Sequence, residues 1–315
     1  MTAHAPRTAV TQPINPVSAD DPDRAPIAMK VANFIGVVVP FLGLIAAIIL
    51  LWGIAFNWTY LILLVVMYVI TAFGITIGYH RFFTHRSFKT SKPVAALLAI
   101  MGSMAVEGPV LEWVAVHRKH HQHSDDEHDP HSPHSHGSGI KGVFLGFIHA
   151  HVGWMFSLKP QHLKKYTHDL QKDKLIRRMS SLFPLWAAIG LIVPALIGGL
   201  VTMTWTGALL GFLWGGLVRV FLVHHVTWSI NSVCHIWGTR PFKSHDHSRN
   251  NPIFGVLGMG EGWHNNHHAF PTSARHGLRW WEFDASWIVI WAMSKVGLVY
   301  DVRVPTGERL EQKRR

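Results

Sequence analysis

Residues 59–85 read TYLILLVVMYVITAFGITIGYHRFFTH. From Thr59 to Tyr79 there is no charged residue. The stretch is long enough for a helix to cross a hydrocarbon core, which takes about 20 apolar residues for ~30 Å. His80 and His85 follow at once. One similar segment lies upstream, Val31 to Phe56, and two lie downstream, Leu182 to Met203 and Ala208 to Trp228. With 49% of the 315 residues hydrophobic and 15% charged, an ordinary soluble domain is a poor description. The pattern predicts an all-α integral membrane protein with four transmembrane helices arranged as two hairpins.

Charge sets the orientation. The hairpin turns, around Asn57 and Trp58 and from Thr204 to Gly207, hold no Lys or Arg, whereas Arg81, Arg86, Arg118, Lys119, Lys164, Lys165, Arg177 and Arg178 lie in the long segments outside them. The positive-inside rule then places both termini and the middle segment in the cytoplasm. Because the basic residues flank apolar segments, anionic lipid headgroups explain the net charge of +11 and no nucleic-acid partner is expected. Residues 1–28, polar and rich in Pro, read as a disordered cytoplasmic tail without a cleaved signal. Residues 29–300 read as one membrane domain and 301–315 as a basic, solvated tail. The single cysteine, Cys234, excludes disulfide and cysteine-cluster frameworks and reads as a small buried residue.

The 24 histidines are the anomaly. Three groups have ligand spacing: His80 and His85 in HRFFTH, His117, His120 and His121 in HRKHH, and His264, His267 and His268 in HNNHH. On a helix, positions i, i+3 and i+4 share a face, so each HxxHH is expected to present three imidazoles to one point. The i, i+5 spacing of His80 and His85 implies that one of them sits where the helix ends or bends. Asn231 and His235, at i and i+4, add an imidazole and a weaker amide ligand. Nine imidazoles and one amide exceed what a single metal holds, so a two-metal site is expected. An even number of apolar segments precedes every group, which puts all of them on one membrane face, in a helical cytoplasmic cap. Imidazole suits Zn, Cu, Fe and Ni alike.

The loop His123 to His136 reads as solvated, with Asp125, Asp126 and Asp129 as possible partners for the outer nitrogens of ligand rings. His149 reads as a packing residue. His224 and His225, inside the fourth segment with Arg219, are either functional or paired within the bundle. The spacing from Glu261 to His264 matches half of a carboxylate di-iron motif and, without its mate, reads as chance.

HRFFTH, HRKHH and GEGWHNNHH, with NSVCHIWGTRPF between them, resemble the membrane fatty acyl desaturase family that includes stearoyl-CoA desaturase. The likeness runs from about Thr71 to Pro271 and includes the order, spacing and flanks of the motifs. It implies two irons held by His80, His85, His117, His120, His121, His235, His264, His267 and His268, with Asn231 reaching one through water. It also implies O2 as co-substrate and a cis double bond, usually at C9, in a long saturated acyl chain. Trp113, Thr227 and Trp228 match residues lining the bend of the acyl tunnel. Acyl-CoA members carry an Asn and an Arg-Asp pair where this chain has Gly108, Ala115 and Val116, so CoA, acyl carrier protein and intact lipid all stay open as carriers.

Two rival readings are a di-iron hydroxylase of the alkane or sterol type and, from another class, a metal transporter or sensor. Transporter ligands sit near the bilayer midplane in broken helices, whereas these groups fall outside the apolar segments. About 47 residues follow His268, too few for a redox domain, so a separate electron donor of the ferredoxin, cytochrome b5 or reductase type is expected. Lys164, Lys165, Arg177 and Arg178 read equally as its docking face and as a lipid-facing helix. The expected location is a bacterial inner membrane.

Overall fold

The computed structural model describes residues 26–50, 57–157 and 164–315. Four of its helices are long and apolar enough to cross a membrane: Ile27–Leu50, Trp58–Thr84, Phe183–Thr202 and Trp205–His235. In the most apolar window of the second and fourth, 56% of residues are buried, against 17% in the first and third. The second and fourth helices therefore form the interior of the bundle, and the other two present Phe34, Ile49 and Leu200 outward as its wall.

Close packing rests on small residues. Gly207, Gly211 and Gly215 recur every fourth position on the fourth helix, facing Pro194, Gly198 and Thr202 of the third; a Cβ at any of them would overlap that neighbour. Arg219 in the fourth helix is fully buried. Its guanidinium donates to the carbonyls of Gly215 (3.1 Å), Met104 (2.6 Å) and Gly190 (2.7 Å). Carbonyl dipoles, with no carboxylate among these contacts, satisfy the donors that apolar surroundings would otherwise strand.

The observed helices differ from the expected ones at their ends. The second begins at Trp58, capped by the Asn57 side chain accepting from Thr59 N at 3.0 Å, and runs to Thr84, past Tyr79. The fourth runs from Trp205 to His235 rather than from Ala208 to Trp228. Hydropathy measures the thickness of the hydrocarbon, whereas backbone hydrogen bonding carries a helix on into polar surroundings. The first helix starts at Ile27, inside the segment expected to be tail; residues 1–25 lie outside the described residues, as do 51–56 at the expected end of that helix.

Shorter helices, Lys92–Ser103, Val110–His123, Gly139–Ile148, Lys174–Ser181, Pro252–Leu257, His264–Ala269 and Ala285–Lys295, gather beside one end of the second and fourth helices. Lys92–Ser103, Val110–His123, Lys174–Ser181 and Ala285–Lys295 share with the second and fourth helices a core that includes Ile75, Tyr79, Phe83, Val110, Val114, Ile176, Val223 and Ile290. A two-residue antiparallel ladder pairs Lys89 with Tyr300 and Thr90 with Val299. Residues 301–315 are mostly exposed but anchored to the rest of the chain. Arg303 N donates to Ser87 O, Lys243 N donates to Lys313 O, and Lys313 Nζ reaches Ala269 O at 2.6 Å beside the Phe270 ring. Backbone pairing and one capped helix end hold this basic, exposed segment in place.

Candidate metal centre

Residues Gly74–Thr84 of the second helix are wound as a π-helix. His85 N donates to His80 O at 3.1 Å, an i to i+5 bond. This wider winding brings rings five positions apart onto the same side, where α-helical winding would turn them away from each other. The His80 and His85 ring centroids lie 4.8 Å apart.

Among the described residues the histidines of the motifs fall into two groups whose candidate ligand atoms lie within 4.8 Å of one another: His80, His85, His117, His121 and His267, and His120, His235, His264 and His268. The expectation that each HxxHH aims three imidazoles at one point is corrected here. His117 and His121 go to the first group and His120 to the second, while His267 joins the first and His264 and His268 the second. Adjacent helical residues are about 100° apart, so consecutive histidines straddle two points. Asn231 lies in a cavity wall with Thr227 and His264.

Carboxylates hold the outer nitrogens. Asp129 lies 3.0 Å from His120 Nδ1 and Asp125 2.9 Å from His235 Nδ1, and Asp246 contacts His268 Nδ1. Glu261 meets His80 Nδ1 and is held in turn by Arg81, which also contacts Asp284 at 3.1 Å. Glu261 and His264 thus serve different groups, and Glu261 buttresses the first. Asp126 sits at the surface on His123 Nδ1 at 3.1 Å. His131, read with the solvated loop, is buried beside Asp129, with its ring 4.4 Å from that of His120. His276, which the sequence motifs did not single out, is buried 4.5 Å from the His267 ring. His149 is half-buried, His224 Nε2 meets Ala105 O at 3.0 Å, and His225 Nδ1 meets His151 Nε2 at 2.9 Å, so both pair within the bundle. Cys234 is buried and free, as read.

The inner nitrogens fit a metal. His80 Nε2 and His267 Nε2 are 3.0 Å apart, His121 Nε2 and His267 Nε2 2.9 Å, and His235 Nε2 and His264 Nε2 3.0 Å. Nitrogens bound at right angles to one ion at ~2.1 Å would be about 3 Å apart. A shared proton satisfies one such pair, yet His85 Nε2, His117 Nε2, His120 Nε2 and His268 Nε2 have no partner and are buried. Leaving each unsatisfied costs ~1–3 kcal/mol, which a cation removes. Burial first, and then neighbouring histidines, push His85, His117, His121, His264 and His267 well below the ordinary imidazole range. For His268, burial is partly offset by Asp246 and the result is about 4. These rings are neutral near pH 7, with a lone pair to give. Burial opposes ionisation of Asp125, Asp129 and Asp246, but the adjoining His235, His120 and His268 outweigh it and hold all three below the usual carboxylate range.

Beside the two groups lies a cavity of about 350 Å³, within the range of ligand sites. Trp113, Thr227, Trp228 and Asn231 line it together with His80, His117 and His264, and Gly108 and Val116 line it as well. Glu107, which the sequence reading passed over, is also in its wall. Trp113 Nε1 donates to Glu107 Oε2 at 3.0 Å. Burial pushes the Glu107 carboxyl up to about 7 against hydrogen bonds from Trp113 and Thr227. An acid placed in the apolar run MAVEGPV was the available signal.

Four helices apolar enough to cross a membrane, two buried histidine groups suited to holding metal and an apolar cavity beside them define a membrane-type architecture. The family model for fatty acid desaturases matches residues 55–303. A hex-5-enoyl-[acyl-carrier protein] acetylenase of Moorena producens (strain JHB) is 44% identical over 279 residues, covering 88% of this chain and 87% of the relative. An sn-1 stearoyl-lipid 9-desaturase of Synechocystis sp. is 39% identical, with 82% and 76% covered. An acyl-CoA C20 Delta5-desaturase of Anemone leveillei is 36% identical, with 80% and 76% covered. The chain belongs to the fatty acid desaturase family and is an oxidoreductase of lipid metabolism.

Proposed function

We propose that the chain is an O2-dependent fatty acyl desaturase that places a cis double bond, at C9, in a long saturated acyl chain. His80, His85, His117, His121 and His267 would hold one iron, and His120, His235, His264 and His268 the other, with Asn231 reaching the second through water. The carrying observation is the pair of buried nitrogen groups, each with unpartnered ring nitrogens turned inward and carboxylates fixing outer nitrogens in both. Bound there, the irons and O2 supply the removal of two hydrogens from adjacent methylenes, with O2 leaving as water.

The chain's own residues hold and place. A methylene has no acidic proton and no polar handle, so no side-chain acid or base does this work, and positioning decides which carbons react. Trp113, Thr227 and Trp228 form the wall against which the acyl chain bends, and the apolar cavity keeps water from it. Glu261, Asp125, Asp129 and Asp246 keep ring orientation and tautomer fixed. Gly108, Ala115 and Val116 offer no polar side chain for a CoA head group, which supports intact lipid or acyl carrier protein as carrier. The likeness to the Synechocystis enzyme supports C9. The four helices form two hairpins in a bacterial inner membrane, with the histidine cap and the termini in the cytoplasm and electrons delivered by a separate protein.

Expression in a host unable to make unsaturated fatty acids, with product analysis by gas chromatography and mass spectrometry, is expected to give cis-9 monounsaturated chains. Purified protein is expected to carry two irons per chain. Hydroxylated products alone, or an active sample free of iron, would overturn the assignment. The likeness to the Moorena acetylenase favours a second reading, formation of a triple bond from an alkene. Alkyne products from a supplied unsaturated chain, with none from saturated chains, would select it.

A further inference from the structure

The segment Arg240–Arg249 lies directly behind the second histidine group. Its Asp246 carboxylate holds His268 Nδ1, and its His247 N donates at 2.8 Å to Asp125, the carboxylate that holds His235. The outer side of this segment is cationic. Lys243 and Arg315 are exposed, Arg240 and Arg249 are half-buried, and none of the four makes an ion pair among the described residues. They are held near one another: Arg315 N donates to Pro241 O, Lys243 N to Lys313 O, and Arg249 Nη1 to Gly238 O at 3.3 Å. Arg240 Nη2 donates to Asp246 O, which ties the ridge to the segment that holds His268. Like charges fixed together, with Lys243 and Arg315 exposed, favour a negatively charged partner.

The other faces of the centre are less suited. The first group is backed by Arg81, Glu261 and Asp284, all buried. On the face around Lys164 and Lys165, Asp169 already takes up Arg86 and Arg118. The ridge is thus the place where exposed cationic surface is joined to a histidine group through single hydrogen-bonded carboxylates.

We propose that the ridge of Arg240, Lys243, Arg249 and Arg315 is the docking surface of an acidic one-electron carrier protein, whose electrons enter at the His235 and His268 side of the centre. The proposal rests on the desaturase reading above. Each double bond gives up two hydrogens, and therefore two electrons and two protons. Reducing one O2 to two waters takes four of each, so two docking events deliver the other two electrons and water supplies the other two protons.

The test is direct binding, measured by surface plasmon resonance, of a plant-type [2Fe–2S] ferredoxin to the full chain in detergent, both as isolated and after chelator treatment. The ridge does not require metal, so both forms are expected to bind, more weakly as salt rises. Lys243→Glu/Arg315→Glu is expected to weaken binding at least tenfold while leaving iron content unchanged, and Lys164→Glu/Lys165→Glu is expected to leave binding within about twofold. Arg249→Gln, a milder change, is expected to weaken it in the same direction. Unchanged ferredoxin binding by the ridge variants would overturn the proposal, as would loss of binding only to anionic phosphatidylglycerol vesicles. A chain that carries its iron and binds ferredoxin at the ridge yet makes no unsaturated product would instead count against the desaturase reading.

Discussion

At the scale of single residues, the carboxylates behind the imidazoles are the most exposed to test. Asp246→Asn keeps the shape but weakens the hold on His268 Nδ1, and iron affinity is expected to fall about 10–100-fold. Asp126→Asn, at the surface on His123, is expected to leave it unchanged. Iron per chain after dialysis against a chelator reads both. His120→Ala and His267→Ala are expected to abolish turnover and lower bound iron without preventing membrane insertion. In the cavity wall, Glu107→Gln keeps an acceptor for Trp113 Nε1, whereas Glu107→Leu strands that donor at a cost of about 1–3 kcal/mol. Only the leucine variant is expected to shift double-bond position, and a larger side chain at Thr227 is expected to shift chain-length preference; product analysis checks both. The ligand-type histidines were legible because their spacing repeats. Glu107, Glu261 and His276 were not, because each is a lone polar residue whose meaning comes from what a distant segment places beside it.

Among the elements, the π-wound end of the second helix has the sharpest consequence. Deleting Ile77 would allow ordinary α-winding and turn His80 and His85 apart. The deletion variant is expected to keep its helix content by circular dichroism while losing iron from the first group ahead of the second. The sequence showed that five positions separate the two rings, but the winding that reconciles them depends on packing against Lys92–Ser103. Helix existence was legible from apolar length, and helix ends were not, since the last turns of the second and fourth helices are polar and become buried only against the cap. The split of each HxxHH between two groups was likewise hidden. Spacing within one helix says which rings share a face, and only the other helices decide which of two points each ring meets.

For the molecule as a whole, the neutral buried histidines make acid a destabilising condition. Above the unfolded imidazole value of ~6.5 neither state binds the proton, so stability is unaffected there. As pH falls below it, the unfolded chain takes up protons that the folded chain refuses, and stability is lost until the folded value is reached, about 4 for His268. The thermal midpoint of chelator-treated protein is expected to drop between about pH 7 and about pH 5, with Ala at His264 or His268 flattening the profile. That the four long helices carry the architecture was readable from composition alone, because a bilayer demands uninterrupted apolar length. The docking of residues 301–315 was not, because backbone pairing leaves no mark in side-chain chemistry. The first histidine group joins His80 to His267, 187 positions further along the chain. The ribosome must therefore have released the chain beyond residue 268 before either histidine group can close, so on the di-iron reading metal loading comes late in synthesis or after it. Iron-starved cells are expected to accumulate full-length, inserted chains whose soluble-side segments are cut by added protease, a state reversed by iron without new synthesis.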